Sequence, residues 1–500
     1  VFLEALRKQL PVWDTRQLQT NNIVMITFWS QFSVYALNTV LVLFLTRPLL
    51  AHGLGYSHTK AYAFIGITQA TSYLMPVLGG FMADQVLGVR RAILYGSIML
   101  ALAYLLVMLS GYSLVGFGDK LFIAAYALIP ATNSLLLGTA SGLVSRIYED
   151  DAIQAKTAMT FYYMAINVGA LLATILAPAL LDSVYGPLSV LTVTFIGKSI
   201  AALNFAKRYA LYDNVIWGKD KEPMTAKTSY RLGVYILGIY LFTLLAYSHV
   251  HVASLVIGSG CAGGIVWFLI KTLTLSGENR NKQLIAILLI LEAVVFFIIY
   301  NQMNSTLVLF ANSNSNLNLF GFTILPAQYQ ILNPLLIIAL GSQLPRFYRL
   351  FPRFTIPYQF AAGTLLAGLG LLIMAFASQQ AVQGYVEGNY IALTYMLITL
   401  AELWVSAIGL SMIGLYCDGR NIAFAMGVWY LASSLSNAIS GQLAGWVDIP
   451  EQLQSAAQTL PLYQHYYLWM GCAAVALGAF MGLFAFFIQR QMGRKGVKLA

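Results

Sequence analysis

The sequence predicts an all-α integral membrane protein with fourteen transmembrane helices, grouped as six, then two, then six. Three observations predict it. The chain of 500 residues is 59% hydrophobic and only 9% charged, whereas a soluble domain carries about a quarter charged residues. Its mean hydropathy is +0.73. Its apolar runs recur at lengths near the roughly 20 residues that a helix needs to cross a bilayer core.

The predicted spans follow one another along the chain. Six lie near 22–49, 61–83, 91–112, 121–145, 157–181 and 188–207. The polar stretch "KRYALYDNVIWGKDKEPMTAKTSYR" (207–231) separates them from two more, near 232–248 and 252–271. Six further spans lie near 283–311, 324–345, 357–378, 389–416, 422–447 and 464–489. The opening stretch "VFLEALRKQLPVWDTRQLQT" is too polar to be the apolar core of a signal peptide. The predicted domains are an N-terminal six-helix bundle (1–210), a cytoplasmic linker with two extra helices (211–281) and a C-terminal six-helix bundle (282–500).

Orientation follows from the 28 Lys and Arg residues. All but Arg47, Lys60, Lys120 and Lys198 fall on one side of the predicted spans, and the positive-inside rule makes that side cytoplasmic. Both termini are therefore expected in the cytoplasm. The formal charge of +10 reflects topology and contact with anionic lipid rather than a nucleic-acid surface.

Two six-helix halves joined by a charged connection suggest a transporter whose site lies between the halves at mid-membrane. No pore-loop sequence points to a channel. No nucleophile–base constellation points to an enzyme. The five histidines (His52, His58, His249, His251, His465) sit at span ends or in loops. The three cysteines (Cys261, Cys417, Cys472) match no metal spacing. No metal and no cofactor are expected.

Several motifs carry more specific information. "GGFMADQVLGVRRA" (79–92) places Asp84, Arg90 and Arg91 around a short cytoplasmic turn. An acid–base cluster there can latch helices in one state and release them in another; a topology-setting charge cluster is the alternative. The turn resembles the cytoplasmic-loop signature of the major facilitator superfamily. "FYYMAINVGALL" (161–172) resembles the fifth-helix signature F-Y-x-x-I-N-x-G of the proton-dependent oligopeptide transporter family. "SYLMPVLGG" (72–80), "NQMNSTLVLFANSNSNLNLFGFTILPAQYQILNPLLII" (301–338), "AELWVSAIGLSM" (401–412) and "MGVWYLASSLSNAISGQLAG" (426–445) resemble further helices of that family. "LEAVVFFIIYNQM" (291–303) resembles its bacterial dipeptide and tripeptide permeases.

The resemblance implies a major facilitator fold and inward movement of di- and tripeptides with protons by alternating access. It implies that Glu402, at the family's tenth-helix acid, holds the substrate's amino terminus. The sequence departs from the family where the carboxylate would be held. The family's E-x-x-E-R-F aligns with Thr27-Phe28-Trp29-Ser30-Gln31-Phe32, and its fourth-helix lysine aligns with Leu137. The seventh-helix acid is Asn301 here. These losses coincide physically, since a buried base without its carboxylate is costly. A whole charge network is replaced by neutral residues.

Three charged residues remain deep in predicted spans. Glu402 is a candidate site for a proton or a substrate ammonium, or a structural acid satisfied by neighbouring helices. Glu292 is either a second proton site or a hydrogen-bonding residue facing other helices. Lys198 either replaces the lost anchor, makes a structural pair or snorkels to an interface. Asn167, Tyr35, Tyr73, Gln302, Asn333, Trp429 and Ser406, with Asn301, fall at or near family pocket positions. Their amides, hydroxyls and rings can read a peptide without charge, or they can serve as helix–helix glue.

The expected function is secondary active or facilitative transport of di- and tripeptides, or peptide-like molecules, across a bacterial inner membrane with altered or weak proton coupling. A transporter of another amine-bearing metabolite, siderophore-like or polyamine-like, and a non-transporting receptor of the same fold are the alternatives. The protein is expected to act as a monomer, with membrane lipid and a small substrate as partners, no nucleic acid, and the proton as the possible coupling ion.

Overall fold

The structure, a computed structural model, describes residues 14–112, 118–136, 139–148, 150–216, 218–417, 422–447, 449 and 455–494. Among them, ten helices are long and apolar enough to cross a membrane. Leu137 lies outside the described residues.

The chain opens with three long helices, α1 (Thr15–Thr46), α2 (His58–Met82) and α3 (Val89–Tyr112). Ser57 caps α2 by accepting a hydrogen bond from the Lys60 amide at 3.3 Å. The span expected near 121–145 is not one helix. It is broken into α4 (Lys120–Tyr126), α5 (Leu128–Asn133) and α6 (Thr139–Ile147). Pro130 has no N–H to give to the carbonyl one turn earlier, and the chain turns again at Ser134. That turn packs directly on α2, where a Cβ on Gly79 would stand 2.0 Å from the Ser134 carbonyl oxygen. Two long helices follow, α7 (Ala152–Leu181) and α8 (Pro187–Lys207). Gly186, at φ 52°, turns the chain into α8, and Pro187 supplies a preset φ at its first position.

The polar connection after α8 is a packed element. Two short 3-10 turns, Tyr209–Val215 and Gly218–Lys221, fold it beneath the N-terminal helices. Tyr212 is fully buried, stacks on Phe205 at 5.3 Å and donates to Asn22 Oδ1 at 2.7 Å. Gln19 of α1 donates to the Leu211 carbonyl at 2.7 Å. The two extra helices are α9 (Ala226–Ser248), capped by Thr225, and α10 (Val250–Leu273).

The remaining chain begins with α11 (Gly277–Tyr300), a 3-10 turn at Asn301–Asn304 and α12 (Thr306–Asn314). The span expected as a continuous 283–311 therefore carries a break at the Asn301-Gln302 motif. A two-stranded hairpin pairs Asn318–Leu319 with Phe322–Thr323. The next expected span is also divided, into a 3-10 turn (Pro326–Ile331), α13 (Leu332–Gly341) and α14 (Leu344–Leu350). The chain closes with α15 (Ile356–Gln379), α16 (Gly388–Tyr416), α17 (Ile422–Ala444) and α18 (Ala456–Arg494). The last outruns its expected bounds at both ends.

The largest core cluster joins Ile265 and Phe268 of α10 to the helices from α11 onward, around Phe296, Phe310, Phe360, Tyr395 and Tyr467. A second joins Phe44, Phe64, Phe122 and Tyr126 to Tyr247 of α9. Direct contacts tie the early helices to the late ones. Gly66 of α2 and Gly441 of α17 face each other so closely that a Cβ on Gly66 would lie 2.8 Å from the Gly441 Cα. Ser434 donates to the Ala70 carbonyl at 2.9 Å, and Gln330 to the Thr39 carbonyl at 2.9 Å. Small residues and side-chain amides at such crossings are the usual means of joining helices in a bilayer.

Candidate functional site

Three helix faces converge on Glu402. On α16, Thr399, Glu402 and Ser406 are spaced three and four apart, so they share one face. On α7, Tyr163 and Asn167 share a face for the same reason. On α13, Asn333, Ile337 and Gly341 do so again. Asn333 Nδ2 donates to Glu402 Oε2 at 2.6 Å and to Thr399 Oγ1 at 3.2 Å. The Tyr300 hydroxyl also faces the carboxylate. Tyr35 of α1, Tyr73 of α2 and Tyr163 of α7 bring their hydroxyls within electrostatic reach of it. The acid thus sits among four tyrosines drawn from four helices.

Beside this group lies a cavity of about 800 Å³, lined on α7 by Tyr163, Met164 and Asn167 and on α16 by Glu402 and Ser406, with α13 closing it. Its wall is mostly apolar with a few placed polar groups, the usual character of a small-molecule site. Asn167 points its amide nitrogen back to the Tyr163 carbonyl at 3.0 Å, which fixes its orientation. The cavity flanks the part of α7 near Thr160 and the end of α13 near Gly341. At the other end of α7, Gln328 closes on the Ile175 carbonyl at 3.3 Å.

Of the residues expected from sequence, Glu402, Asn167, Asn333, Ser406, Tyr35 and Tyr73 are brought together here. Others are placed elsewhere. Gln302 is fully buried and fully used: it donates to Ser440 Oγ and the Ile298 carbonyl and accepts from Thr306 and Tyr466, each at 2.9 Å. It ties the broken helix together and has no bond left for a substrate. Trp429 is core. Its indole packs edge-on against Phe297 at 5.9 Å and Phe360 at 6.3 Å, and a Cβ on Gly409 would stand 2.1 Å from it. Asn301 sits at the helix break with its amide nitrogen buried and without a partner among the described residues. Among the described residues the carboxylate oxygens of Glu292 likewise have no hydrogen-bond partner, and the Thr364 hydroxyl, also without a partner there, faces them. Of the two expected readings of Glu292, the hydrogen-bonding one therefore finds no partner among the described residues.

Lys198 does not snorkel. It is 2% exposed, and its Nζ donates to Ser30 Oγ at 2.8 Å, toward the interior of the N-terminal helices. The turn at 83–91 also differs from expectation. Arg90 pairs with Asp213 and lies over the Tyr209 ring at 4.1 Å. Arg91 donates to the carbonyls of Lys219 and Asp220 at 3.2 Å each. Asp220, buried, accepts from the backbone N–H of Arg90 at 3.0 Å and of Arg91 at 3.3 Å, and so caps α3 from the connection. Gly88, at φ 88°, permits this approach; a Cβ there would lie 2.4 Å from the Asp220 carboxylate. The partners of the two arginines are thus the connection after α8 rather than Asp84, whose carboxyl is raised by burial.

Sequence reading missed Tyr163 and Tyr300. Tyr163 precedes Asn167 by one turn within the motif already quoted, and Tyr300 immediately precedes the Asn301-Gln302 break. Helical spacing from the motif residues was the signal for both.

Long apolar helices around a polar, mid-helix site define a multi-pass membrane transporter rather than an enzyme. The comparisons with known proteins agree. The POT family matches residues 90–460, and the chain belongs to that family. It is 31% identical over 453 residues to the dipeptide and tripeptide permease A of Chromobacterium violaceum, covering 90% of this chain and 89% of that one. It is 30% identical over 480 residues to the permease of the same name from Cronobacter turicensis, covering 94% and 92%. The crystal structure of tetrameric PepTSo2 superposes with a TM-score of 0.84 at 26% identity, over 95% of this chain and 99% of that one. A bacterial homologue of the human drug peptide transporters superposes with a TM-score of 0.82, also at 26% identity, over 95% and 99%.

Proposed function

We propose that this protein moves di- and tripeptides, or molecules of the same shape, across a bacterial inner membrane by alternating access. The observation that carries the reading is Glu402, an acid held by Asn333 and faced by Tyr300 at the border of a cavity walled by α7, α13 and α16. A carboxylate so placed meets a substrate ammonium through charge-assisted hydrogen bonds. The apolar wall around Met164 and Ile337 suits varied side chains, and Asn167 and Ser406 offer hydrogen bonds to a peptide backbone.

The organisation that goes with this function has fourteen transmembrane helices in two six-helix bundles, 1–210 and 282–500, with 211–281 carrying the linker and α9–α10. Both termini lie in the cytoplasm, and the cavity faces that side. The monomer is the transport unit. No cofactor takes part, and the proton is at most a weak coupling ion, because Thr27, Ser30 and Gln31 do not titrate near neutral pH. The connection after α8, locked to Arg90 and Arg91, steadies the cytoplasmic ends of α1 and α3 while the bundles rock.

Competition against labelled Ala-Ala in proteoliposomes tests the reading. Unlabelled Ala-Ala should compete, and its N-acetylated form should not. Equal competition by the two would remove Glu402 from amine recognition.

A further inference from the structure

The turn between α15 and α16 borders a second cavity, of about 560 Å³. It lies at the start of α16, roughly 20 Å along that helix from Glu402 at 1.5 Å per residue. The turn is firmly held. Val382 and Tyr385 exchange backbone hydrogen bonds at 3.0 and 2.9 Å. Val386 donates to the Asn314 carbonyl at 2.8 Å, and its own carbonyl accepts from the Asn316 N–H at 3.1 Å, which fastens the turn to the end of α12. Gly384, at φ 87°, seats against the start of α18, where a Cβ would lie 2.2 Å from the Ala457 nitrogen. Side chains on so fixed a frame keep their directions without a ligand.

Two polar groups on this frame are aimed by the fold. Asn316 Oδ1 accepts from the backbone N–H of Asn318 at 3.2 Å and of Gly388 at 2.9 Å. Two donors on the oxygen fix which way the amide points. Its nitrogen, which carries two N–H donors, makes no hydrogen bond among the described residues. Glu387 Oε1 accepts from Asn389 Nδ2 at 2.8 Å, and Asn389 is itself held by the Phe320 N–H at 2.8 Å. The other carboxylate oxygen of Glu387 is left for a ligand. Glu387 is the one charged side chain among the described lining residues, and Phe376, Tyr385 and Tyr390 supply aromatic walls. A carboxylate flanked by rings receives an ammonium. An amide N–H group on the same cavity receives an anionic oxygen of the same molecule.

Phe376, near the end of α15, and Tyr385 are each about half exposed. The cavity therefore opens at the edge of the spanning segment, where aromatic side chains meet lipid headgroups. Arg346, Arg349 and Arg353 precede the other end of α15, so the orientation proposed above puts the cavity at the periplasmic boundary. We propose that this cavity binds a phospholipid whose headgroup carries an ammonium beside its phosphate, with Glu387 and the rings receiving the ammonium and Asn316 the phosphate. A soluble zwitterion shares the headgroup chemistry but gains nothing from the exposed ring of Phe376, against which an acyl chain packs. The site is independent of the peptide reading of the Glu402 cavity.

Lipid titration of the purified full chain in detergent tests the site, read by thermal unfolding and by lipid retention in native mass spectrometry. The probes are phosphatidylethanolamine, phosphatidylglycerol, which has the phosphate and no ammonium, and soluble phosphoethanolamine. The variants are Glu387→Gln, which removes the charge at the same shape, and Asn316→Asp. The latter keeps the oxygen that accepts from Asn318 and Gly388 and replaces the donor facing the phosphate by an acceptor. Both positions are exposed, and each variant is compared with its own lipid-free midpoint. Wild type should bind phosphatidylethanolamine about threefold or more tightly than phosphatidylglycerol. Glu387→Gln should bind the two lipids alike, and Asn316→Asp should bind phosphatidylethanolamine about threefold or more weakly than wild type does. Equal binding of the two lipids by wild type would overturn the site. So would a preference that survives unchanged in Glu387→Gln, or an unchanged affinity for phosphatidylethanolamine in Asn316→Asp. Stabilisation by soluble phosphoethanolamine as strong as that by the lipid would overturn the lipid as the occupant.

Discussion

Replacing Glu402 by Gln removes one negative charge from the tyrosine-lined site while nearly preserving its shape. The amide oxygen of Gln can still accept from Asn333, which now donates to Glu402 at 2.6 Å. The local hydrogen bond therefore survives, and the protein should fold with little change in thermal unfolding. What disappears is the charge-assisted bond to a substrate ammonium. Hydrogen bonds to charged groups contribute about 1.5–3 kcal/mol, which corresponds to roughly a ten- to hundredfold loss of affinity. The loss should fall on ligands with a free amine alone. Calorimetry of Ala-Ala and N-acetyl-Ala-Ala against wild type and Glu402→Gln measures both arms. Wild type should prefer the free amine, and the variant should bind the two alike. Unchanged Ala-Ala affinity and uptake in Glu402→Gln would refute the reasoning, because no other described acid borders the cavity.

Three further outcomes follow from the geometry outside the cavity. Arg90→Ala, which releases Asp213 and the Tyr209 ring, should slow transport several-fold while leaving equilibrium affinity within about twofold; a large affinity loss with normal turnover would contradict this. Asp220→Ala removes the cap on α3 and should lower stability by about 1–2 kcal/mol, read as an earlier unfolding midpoint at unchanged ligand selectivity. At Asp119, burial opposes the charged form, but the Tyr56 hydroxyl at 2.7 Å and the Lys60 ammonium at 3.0 Å outweigh it and hold the carboxyl below the usual range. A depressed carboxyl stabilises the fold above its ordinary pKa and loses that contribution as pH falls through the folded-state value. Asp119→Asn should therefore cost about 0.5–1 kcal/mol near neutral pH and progressively less as pH falls below the ordinary carboxyl range, measured as the difference in unfolding midpoint between wild type and variant across an acid series.

The long helices were legible because hydrophobic length is a direct consequence of bilayer thickness, and α1, α7 and α16 fall close to where composition placed them. The breaks were not. A run such as 283–311 keeps a high mean hydropathy across Asn301-Gln302-Met303-Asn304, so an average over a window the length of a span does not register the turn there. Pro130 was a visible signal for the break between α4 and α5, and it stood within a run read as continuous. At the site, Glu402 was legible because an acid deep in an apolar helix is rare. Gln302 and Trp429 were misplaced for the opposite reason: amides and indoles serve equally well as packing groups, and only the four hydrogen bonds of Gln302 and the contact of Trp429 with Gly409 decide their use. Arg90 and Arg91 were read with the neighbouring Asp84. Their partners lie more than a hundred residues further on, in a connection whose polar sequence gave no sign that Tyr212 and Asp220 would be buried.

The central claim is that the protein carries peptides by their amino terminus at Glu402 with little dependence on protons. Its most direct test is the uptake of labelled Ala-Ala into proteoliposomes preloaded with unlabelled Ala-Ala, with and without an inward proton gradient. Clear exchange is expected without the gradient, with little further accumulation when it is imposed and loss of exchange in Glu402→Gln. Strong proton-driven accumulation that persists in Glu402→Gln would contradict both the weak coupling and the role given to that carboxylate.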